Sequence, residues 1–559
     1  MSAGTATWLV LLVPLLPLLL GTLGAFRGLR AWLPALAVLA PLPALAAALL
    51  IEGDVGVRIP WLLLDSRLGL DGVGRVFLAL FACLWFLGSW HAFFYLRLDP
   101  RRGRFAALLL LAMAGNLGTA VAQDALSFYA AFALMSFASY GLVVHDGTPG
   151  SLRAGRVYIV LVVLGELALF SGLVLAVAAA GAPFEPGRAA IPGLALALLS
   201  LGFGIKAGLV PLHVWLPLAH PAAPVPASAV LSGAMIKVGL LGALRFLPLP
   251  GLPGAGEGLI LLGAASALYG VAVGVLQTNP KALLAYSSIS QMGLIAIGLG
   301  LALSAPDPAL AGSAVAAALL FTLHHGFAKA ALFLGTALAP GSAAGLGRWL
   351  RMIGLGLPAA ALIGLPLTSG AVAKAAVKDL GLGPAWLDPF LSVSSAATAL
   401  LLVRFLALMG GRSGEEKPGT LAPWLASVLL SALAVWAWAP AAEGLASSLT
   451  APTIVDSLWP LGVGVALGLG LSWFLGSSPT PLVPAGDLLA FGAGAAGWRR
   501  PPAAAPTAAG RTPRRDLLRT ALARGAELAA LERGAHIWAV GAVASAALAA
   551  LLLASLLSS

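Results

Sequence analysis

Residues 199 to 217 read LSLGFGIKAGLVPLHVWLP, and this stretch decides the class of fold. Apolar residues surround a single charge, Lys206, which is followed by Gly208 and Pro211. A lysine in hydrocarbon costs several kcal/mol, so it normally faces a protein interior or water and marks an ion or proton route. Glycine and proline loosen a membrane helix and are tolerated where they line a polar cavity. The stretch therefore predicts a broken membrane helix with a functional charge.

Three more lysines stand alone in apolar stretches. Lys237 lies in LSGAMIKVGLLGAL, Lys329 in LLFTLHHGFAKAALFLGTA and Lys374 in GLPLTSGAVAKAAVKDL. The last stretch also carries Gly364 and Pro366 ahead of its lysine, so it predicts a second broken helix.

Composition places most of the chain in a membrane. The 559 residues are 60% hydrophobic and 9% charged, with a mean hydropathy of +0.98. Such values predict an all-α polytopic membrane protein, because lipid-exposed backbone must satisfy its own hydrogen bonds. We predict about 14 to 16 membrane helices from the sixteen apolar runs that start at residues 7, 31, 74, 106, 124, 156, 192, 225, 257, 284, 309, 352, 387, 422, 456 and 536.

The two lysine-bearing broken spans lie five positions apart in the span order, which predicts a structural repeat. A repeat offset by an odd number of spans must be inverted in the membrane. Spans 4 to 8 and 9 to 13 would be two inverted five-helix halves. The predicted organisation is N-terminal helices (1–105), the repeat core (106–410), further membrane helices (411–476), a cytoplasmic linker with an amphipathic helix (477–535) and a final span (536–559).

The distribution of basic residues predicts the orientation. Of 32 Lys and Arg residues, 21 fall in one set of alternating loops and six in the opposite set. Basic residues are retained on the cytoplasmic side, so both termini are expected outside and segment 477–535 inside, in the inner (plasma) membrane. The bias also explains the net charge of +11 as membrane topology, and no basic soluble domain supports nucleic-acid binding.

The sequence gives no support for nucleotide, iron–sulfur or zinc chemistry. No Gly-rich dinucleotide turn, Walker loop or HExxH motif is present, and Cys83 is the single cysteine. We therefore expect no cofactor, no metal site and no redox centre in this chain.

Four blocks resemble the antiporter-like subunits shared by respiratory complex I, Mrp-type cation/proton antiporters and membrane-bound hydrogenases. They occur in the family's order, with fainter similarity over residues 106 to 410. An upstream stretch, residues 128 to 147 (FYAAFALMSFASYGLVVHDG), is most similar to the hydrogenase and cation-antiporter branch. The four blocks are KAGLVPLHVWLPLAHPAAPVPASAVLSGAMIKVGL (206–240), QTNPKALLAYSSISQMGLIAIGLG (277–300), LHHGFAKAALFL (323–334) and GLPLTSGAVAK (364–374).

The resemblance implies a proton path at mid-membrane height through lysines, histidines and water. Lys206 would be the lysine of the first broken helix, Lys237 the connecting lysine, His325 and Lys329 a central pair, and Lys374 the exit-side residue. Lysine suits the role because a neighbouring charge decides whether a buried ammonium keeps its proton. Histidine relays protons near neutral pH.

The chain departs from the family at one position. Ala133 stands where the family usually has a membrane glutamate. Glu166 in span 6 is the nearest replacement, since a lone carboxylate in apolar surroundings needs a partner. Asp124 is a second candidate, although its place at the start of span 5 is also typical of a helix N-cap.

Four residues are candidates for proton entry: His213 and His220 on the cytoplasmic side, with Lys281 and Asp124. His213 and His220 follow span 7, with a solvated loop as the alternative. Lys281 precedes span 10, with a topology charge as the alternative. His324 is expected to be a packing residue.

Three functions remain open at this stage. The first is a proton-translocating or cation/proton-exchanging subunit of a larger energy-coupling complex, with other membrane subunits as partners and protons or Na⁺ as cargo. The second is a non-pumping scaffold subunit, and the third is the proton-channel subunit of an inorganic-carbon uptake system.

Overall fold

The computed structural model describes residues 2–63, 65–180, 191–438, 450–475, 483–486 and 488. Outside residues 60–65 they belong to one compact unit, which alone is discussed below. Thirteen helical segments of this part are long and apolar enough to cross a membrane. The helices are α1 (Ala3–Thr22), α2 (Leu33–Leu39), α3 (Leu42–Leu50), α4 (Gly72–Tyr95), α5 (Arg102–Val121), α6 (Ala125–Val143), α7 (Pro149–Ala180), α8 (Gly193–Ala207), α9 (Trp215–Ala222), α10 (Val225–Gly233), α11 (Val238–Phe246), α12 (Pro253–Gly274), α13 (Pro280–Ser304), α14 (Pro308–Gly335), α15 (Gly345–Ile363), α16 (Ser369–Lys378), α17 (Leu387–Gly410), α18 (Leu421–Leu433) and α19 (Ala451–Leu475).

Fifteen of the sixteen predicted spans coincide with these helices. Thirteen are the long segments, and the shorter α8 and α18 supply the other two. The span from residue 536 and the amphipathic helix before it lie outside the described residues. The all-α polytopic fold is thus confirmed.

A short antiparallel ribbon between α3 and α4 was not predicted. Its strands are β1 (Val55–Ile59) and β2 (Ser66–Leu70), with Arg58 opposite Arg67. Exposure alternates along β1, as in a half-buried strand. A search for long apolar runs misses such a ribbon because the strands are too short to span a membrane.

Both predicted helix breaks are present. Helix α8 ends at Ala207, and Gly208 follows with φ +72° in the left-handed region. Helix α15 ends at Ile363, and Gly364 follows with φ +91°, in the same left-handed region. Glycine adopts this conformation without the steric cost that a Cβ brings, and it satisfies the helix C-terminus. The chain then resumes as α9 and α16 respectively.

Each of the two predicted five-span halves has its break in its fourth span. The first contains α5, α6, α7, α8 with α9, and α10 with α11; the second contains α12, α13, α14, α15 with α16, and α17. Lys206 is the penultimate residue of α8, whereas Lys374 is the sixth residue of α16. The sixth residue of α9 is His220. The two lysines therefore lie in matching broken helices but on opposite sides of the break.

Helices α13 and α14 form the centre of the unit. Every residue of α13 from Ala282 to Leu303 is buried. Helix α14 is packed by α4, α10, α13, α15, α16 and α18. A helix surrounded on all sides can carry polar residues without showing them to lipid. His324, His325 and Lys329 lie on α14 in this setting.

Asp124 is the N-cap of α6. Its Oδ1 accepts hydrogen bonds from the backbone N–H groups of Leu126 (3.0 Å) and Ser127 (2.8 Å), and Oδ2 accepts one from the backbone N–H of Arg67 (2.8 Å). The carboxylate satisfies orphan donors at the helix start and ties it to β2. The N-cap interpretation of this residue is therefore confirmed.

Glu416 fixes the loop between α17 and α18 to α15. It accepts two hydrogen bonds from Arg351, at 2.8 and 2.7 Å, and one from the backbone N–H of Ala339 at 2.9 Å. The Arg351 guanidinium and the Ala339 amide together hold the pKa of the Glu416 carboxyl below its usual range, against the opposing effect of burial. A bidentate pair of this geometry fixes orientation as well as charge.

Replacing Gly208 with alanine tests the first break. We expect Gly208→Ala to lower stability by about 1 to 2 kcal/mol, because its φ is unfavourable for a residue with a Cβ. Gly204→Ala is the matched control, since its Cβ would meet Leu212 at an ordinary 3.6 Å within the helix. Thermal unfolding in detergent compares the two, and equal stability of both variants would contradict the account.

Removing the α6 cap tests the structural role of Asp124. Asp124→Ala should cost about 1 to 2 kcal/mol of stability, and Asp124→Ser should recover much of it by capping again. Thermal unfolding in detergent measures the stability of both variants. Equal stability of Asp124→Ala and Asp124→Ser would contradict the capping role.

Candidate proton path

The four isolated lysines are all withdrawn from the surface. Their exposed fractions are 5% for Lys206, 0% for Lys237 and Lys329, and 8% for Lys374. A buried ammonium needs hydrogen-bond acceptors, and each of the four has at least one.

Lys206 lies beside α6. Its Nζ donates to Ser136 Oγ at 3.0 Å and lies 5.1 Å from the centre of the Phe132 ring. The indole N–H of Trp215 donates at 3.0 Å to the carbonyl of Ile205 at the end of α8, which also accepts a hydrogen bond from the backbone N–H of Gly208 at 3.2 Å. The break thus positions Lys206 at a junction of α6, α8 and α9.

Glu166 is next to this lysine. It is 4% exposed, and neither carboxylate oxygen has a hydrogen-bond partner among the described residues. Glu166 and Lys206 line the same small cavity and interact electrostatically. Phe132 and Ser136 of α6 also line it, whereas Ala133 does not.

Lys237 and Lys329 are joined through two serines. Lys237 Nζ donates to the carbonyl of Ser232 at 2.5 Å, and the hydroxyls of Ser232 and Ser288 are 2.8 Å apart. Ser288 Oγ and Lys329 Nζ both donate to the carbonyl of Leu284, each at 3.0 Å. Because Ser288 gives its proton to Leu284, Ser232 is the donor to Ser288. One hydrogen-bonded unit therefore holds both amino groups.

The two adjacent histidines have different surroundings. His324 Nδ1 lies 2.9 Å from Ser369 Oγ on α16, within electrostatic reach of Lys374. Neither ring nitrogen of His325 has a hydrogen-bond partner in the described part of the chain, and its ring lies within electrostatic reach of Lys237 and Lys329. His324, expected to be a packing residue, forms a link between α14 and the second broken helix.

Lys374 reaches back across the second break. Its Nζ donates to the carbonyl of Ile363, the last residue of α15, at 2.6 Å and to Ser395 Oγ at 3.0 Å. The carbonyl is free because the helix ends there.

The two histidines predicted for proton uptake are not solvated. His213 and His220 are fully buried, and the ring of His220 stacks on Phe333 with centroids 4.4 Å apart. The expectation of a loop position for His220 is wrong, since the residue belongs to α9. Lys281 is the second residue of α13, and its Nζ donates to the carbonyl of Ala223. The apolar residues of WLPLAH recur at helical spacing, and this pattern could have placed His220 on a helix.

The middle of the chain matches a known family. Residues 122–377 match the family described as "NADH:quinone oxidoreductase/Mrp antiporter, TM". This range includes Lys206, Lys237, Lys329 and Lys374, and also Glu166 of α7.

Two curated relatives are similar over comparable lengths. An uncharacterized protein of Mycobacterium tuberculosis is 36% identical over 57% of this chain and 53% of its own length. Hydrogenase-4 component B of Escherichia coli is 34% identical over 49% of this chain and 44% of its own length. The chain thus spans about half the length of these curated relatives.

A solved structure shares the fold. A chain in the structure of the Mrp complex from Dietzia sp. DQ12-45-1b superimposes with a TM-score of 0.63 and 21% identity. The match covers 82% of this chain and 99% of that chain. Residues 122–377 of this multi-pass membrane protein thus match the antiporter-like family of NADH:quinone oxidoreductases and Mrp antiporters.

Proposed function

We propose that this chain is a proton-translocating, or cation/proton-exchanging, membrane subunit of a larger energy-coupling complex. The observation that carries the proposal is the hydrogen-bonded unit of Ser232, Ser288 and Leu284 that holds Lys237 and Lys329 in the buried centre. Isolated lysines in a membrane interior are costly and mark ion or proton routes. The family match over residues 122–377 supports the same class of function.

The proposed path crosses the centre of the unit between the two broken helices. It begins at Lys206, continues through Lys237 and Lys329 with His325, and ends at Lys374, which His324 approaches through Ser369. Two nearby ammonium groups disfavour each other, so arrival of a proton at one lysine promotes release from its neighbour. The main-chain carbonyls in the unit accept hydrogen bonds but pass no protons, so transfer uses the hydroxyls, the imidazoles and water.

Proton uptake is proposed through Lys281 and His220. Lys281 contacts the carbonyl of Ala223, just past the end of α9, and His220 lies within electrostatic reach of Lys281, Lys329 and Lys237. A histidine between two lysines suits a relay, because imidazole both accepts and donates protons. His213 is nearer to the first break and is a second candidate.

The setting of the subunit is part of the proposal. Hydrogenase-4 component B and the Mrp complex chain are components of assemblies by their names, which supports other membrane subunits as partners. The excess of basic residues in one set of loops supports an inner-membrane location with those loops in the cytoplasm. Protons are the proposed cargo, with Na⁺ exchange as the alternative.

The central lysine provides the first test. Lys329→Ala should reduce proton flux in membrane vesicles at least about tenfold, because it removes the proton-accepting amino group that lies between Lys237 and Lys374 on the proposed path. Lys417→Ala, which removes an exposed lysine stacked on Tyr95, is the control and should transport normally. Assembly is measured in parallel. If fully assembled Lys206→Ala, Lys329→Ala and Lys374→Ala variants all transport normally, the chain is a scaffold.

The serine link provides the second test. Ser288→Ala should slow flux by about tenfold, since it removes the hydroxyl that joins Ser232 to the carbonyl shared with Lys329. Ser427→Ala is the matched control, because Ser427 is equally buried in a span and donates only to its own helix, at Trp424. Equal flux in the two variants would contradict the role given to Ser288.

A further inference from the structure

We infer that Glu166 on α7 is the charge partner of Lys206 and sets the pH range in which this lysine exchanges its proton. The inference deepens the proposed function, on which it rests. It assigns to α7 a carboxylate that α6 lacks at Ala133.

The environment of Glu166 demands a partner. The residue lies within α7, is 4% exposed, and neither carboxylate oxygen has a hydrogen-bond partner among the described residues. Burying an ionised carboxylate without compensation is costly, so a nearby cation or bound water must offset it. Lys206 is a cation within electrostatic reach of it, and Tyr129 and Tyr158 are titratable groups that also interact with it.

Close packing of α7 against α8 brings the two side chains to one place. A Cβ on Gly202 would meet the carbonyl of Gly165 at 3.0 Å, and a Cβ on Gly165 would meet the side chain of Ile205 at 3.3 Å. Small residues at such a contact let two helix backbones approach closely. Glu166 follows Gly165 directly, and Lys206 lies one helical turn beyond Gly202, so both project from a close part of the contact.

The shared cavity suits a proton exchange between them. Its volume is about 10 Å³, close to the space that one water molecule needs. Lys206 donates one N–H to Ser136, which leaves two donors for the cavity. A water there would have the Glu166 carboxylate, the Lys206 ammonium and the Ser136 hydroxyl as polar neighbours. That is enough to hold it and to relay a proton.

Helix α6 contributes shape and no charge. Phe132 places its ring 5.1 Å from Lys206 Nζ, and Ser136 supplies the hydroxyl. Ala133 precedes Ser136 by three positions and is therefore on a neighbouring part of the same helix face. A glutamate introduced at position 133 would extend from the helix face next to the cavity. The negative charge can therefore be moved from α7 to α6 experimentally.

The test compares flux and its pH profile in membrane vesicles that contain the assembled complex. Glu166→Gln should lower flux at least about tenfold and move the alkaline limb of the profile to lower pH by about one unit, because the ammonium of Lys206 loses its compensating charge. Glu257→Gln removes an exposed glutamate of α12 and should leave both readouts unchanged.

Moving the charge separates its role from packing. Adding Ala133→Glu to Glu166→Gln should restore most of the flux and return the alkaline limb toward higher pH. Adding Ala133→Gln, a substitution of the same size without charge, should restore neither. Restoration by both would overturn the inference, because it would show a role in packing alone.

The outcome for Lys206→Ala distinguishes this inference from the proposed function. Loss of flux in Lys206→Ala with a normal profile in Glu166→Gln would overturn the pairing and leave the proton path standing. Normal flux in both variants would overturn the pairing of Glu166 with Lys206 and the proposed proton path as well.

Discussion

The structure depends on how ammonium groups are accommodated inside a membrane. A lysine there must find acceptors for its N–H groups without exposing backbone to lipid. The helix breaks supply such acceptors, because each one frees carbonyls at a helix end. Lys374 uses the carbonyl of Ile363 at the second break, and at the first break Trp215 occupies the carbonyl of Ile205 next to Lys206. At the other two lysines, main-chain carbonyls take this role: Lys237 donates to the carbonyl of Ser232 near the end of α10, and Lys329 donates to the carbonyl of Leu284 in α13.

The two halves solve the same problem differently. In the first half the lysine lies before the break and shares a cavity with Glu166, while His220 occupies the helix position that Lys374 has in the second half. In the second half the lysine lies after the break and contacts Ser395. Only the first half therefore places a carboxylate beside its lysine among the described residues. Such a difference gives the proposed path two unlike ends, which a directional process requires.

Features that depend on neighbouring residues in the sequence can be predicted from it, whereas contacts between distant segments cannot. Long apolar runs identify fifteen spans that the structure describes, and Gly208 and Gly364 mark both breaks, because hydropathy and backbone conformation are local properties. The contact between Ser232 and Ser288 joins α10 to α13, and that of His324 with Ser369 joins α14 to α16. Neither has a local signature. The burial of His220 was missed for the same reason, since a neighbour on α14, Phe333, covers it.

The central claim is that Lys237 and Lys329 belong to one route. The most direct measurement is proton flux in Lys237→Gln, in Lys329→Gln and in the double variant, at equal assembly in membrane vesicles. If the lysines act in series, each single variant loses nearly all flux and the double variant shows no further loss of comparable size. If each single variant keeps a substantial part of the flux and only the double variant loses it, the two lysines serve parallel routes and the account is contradicted.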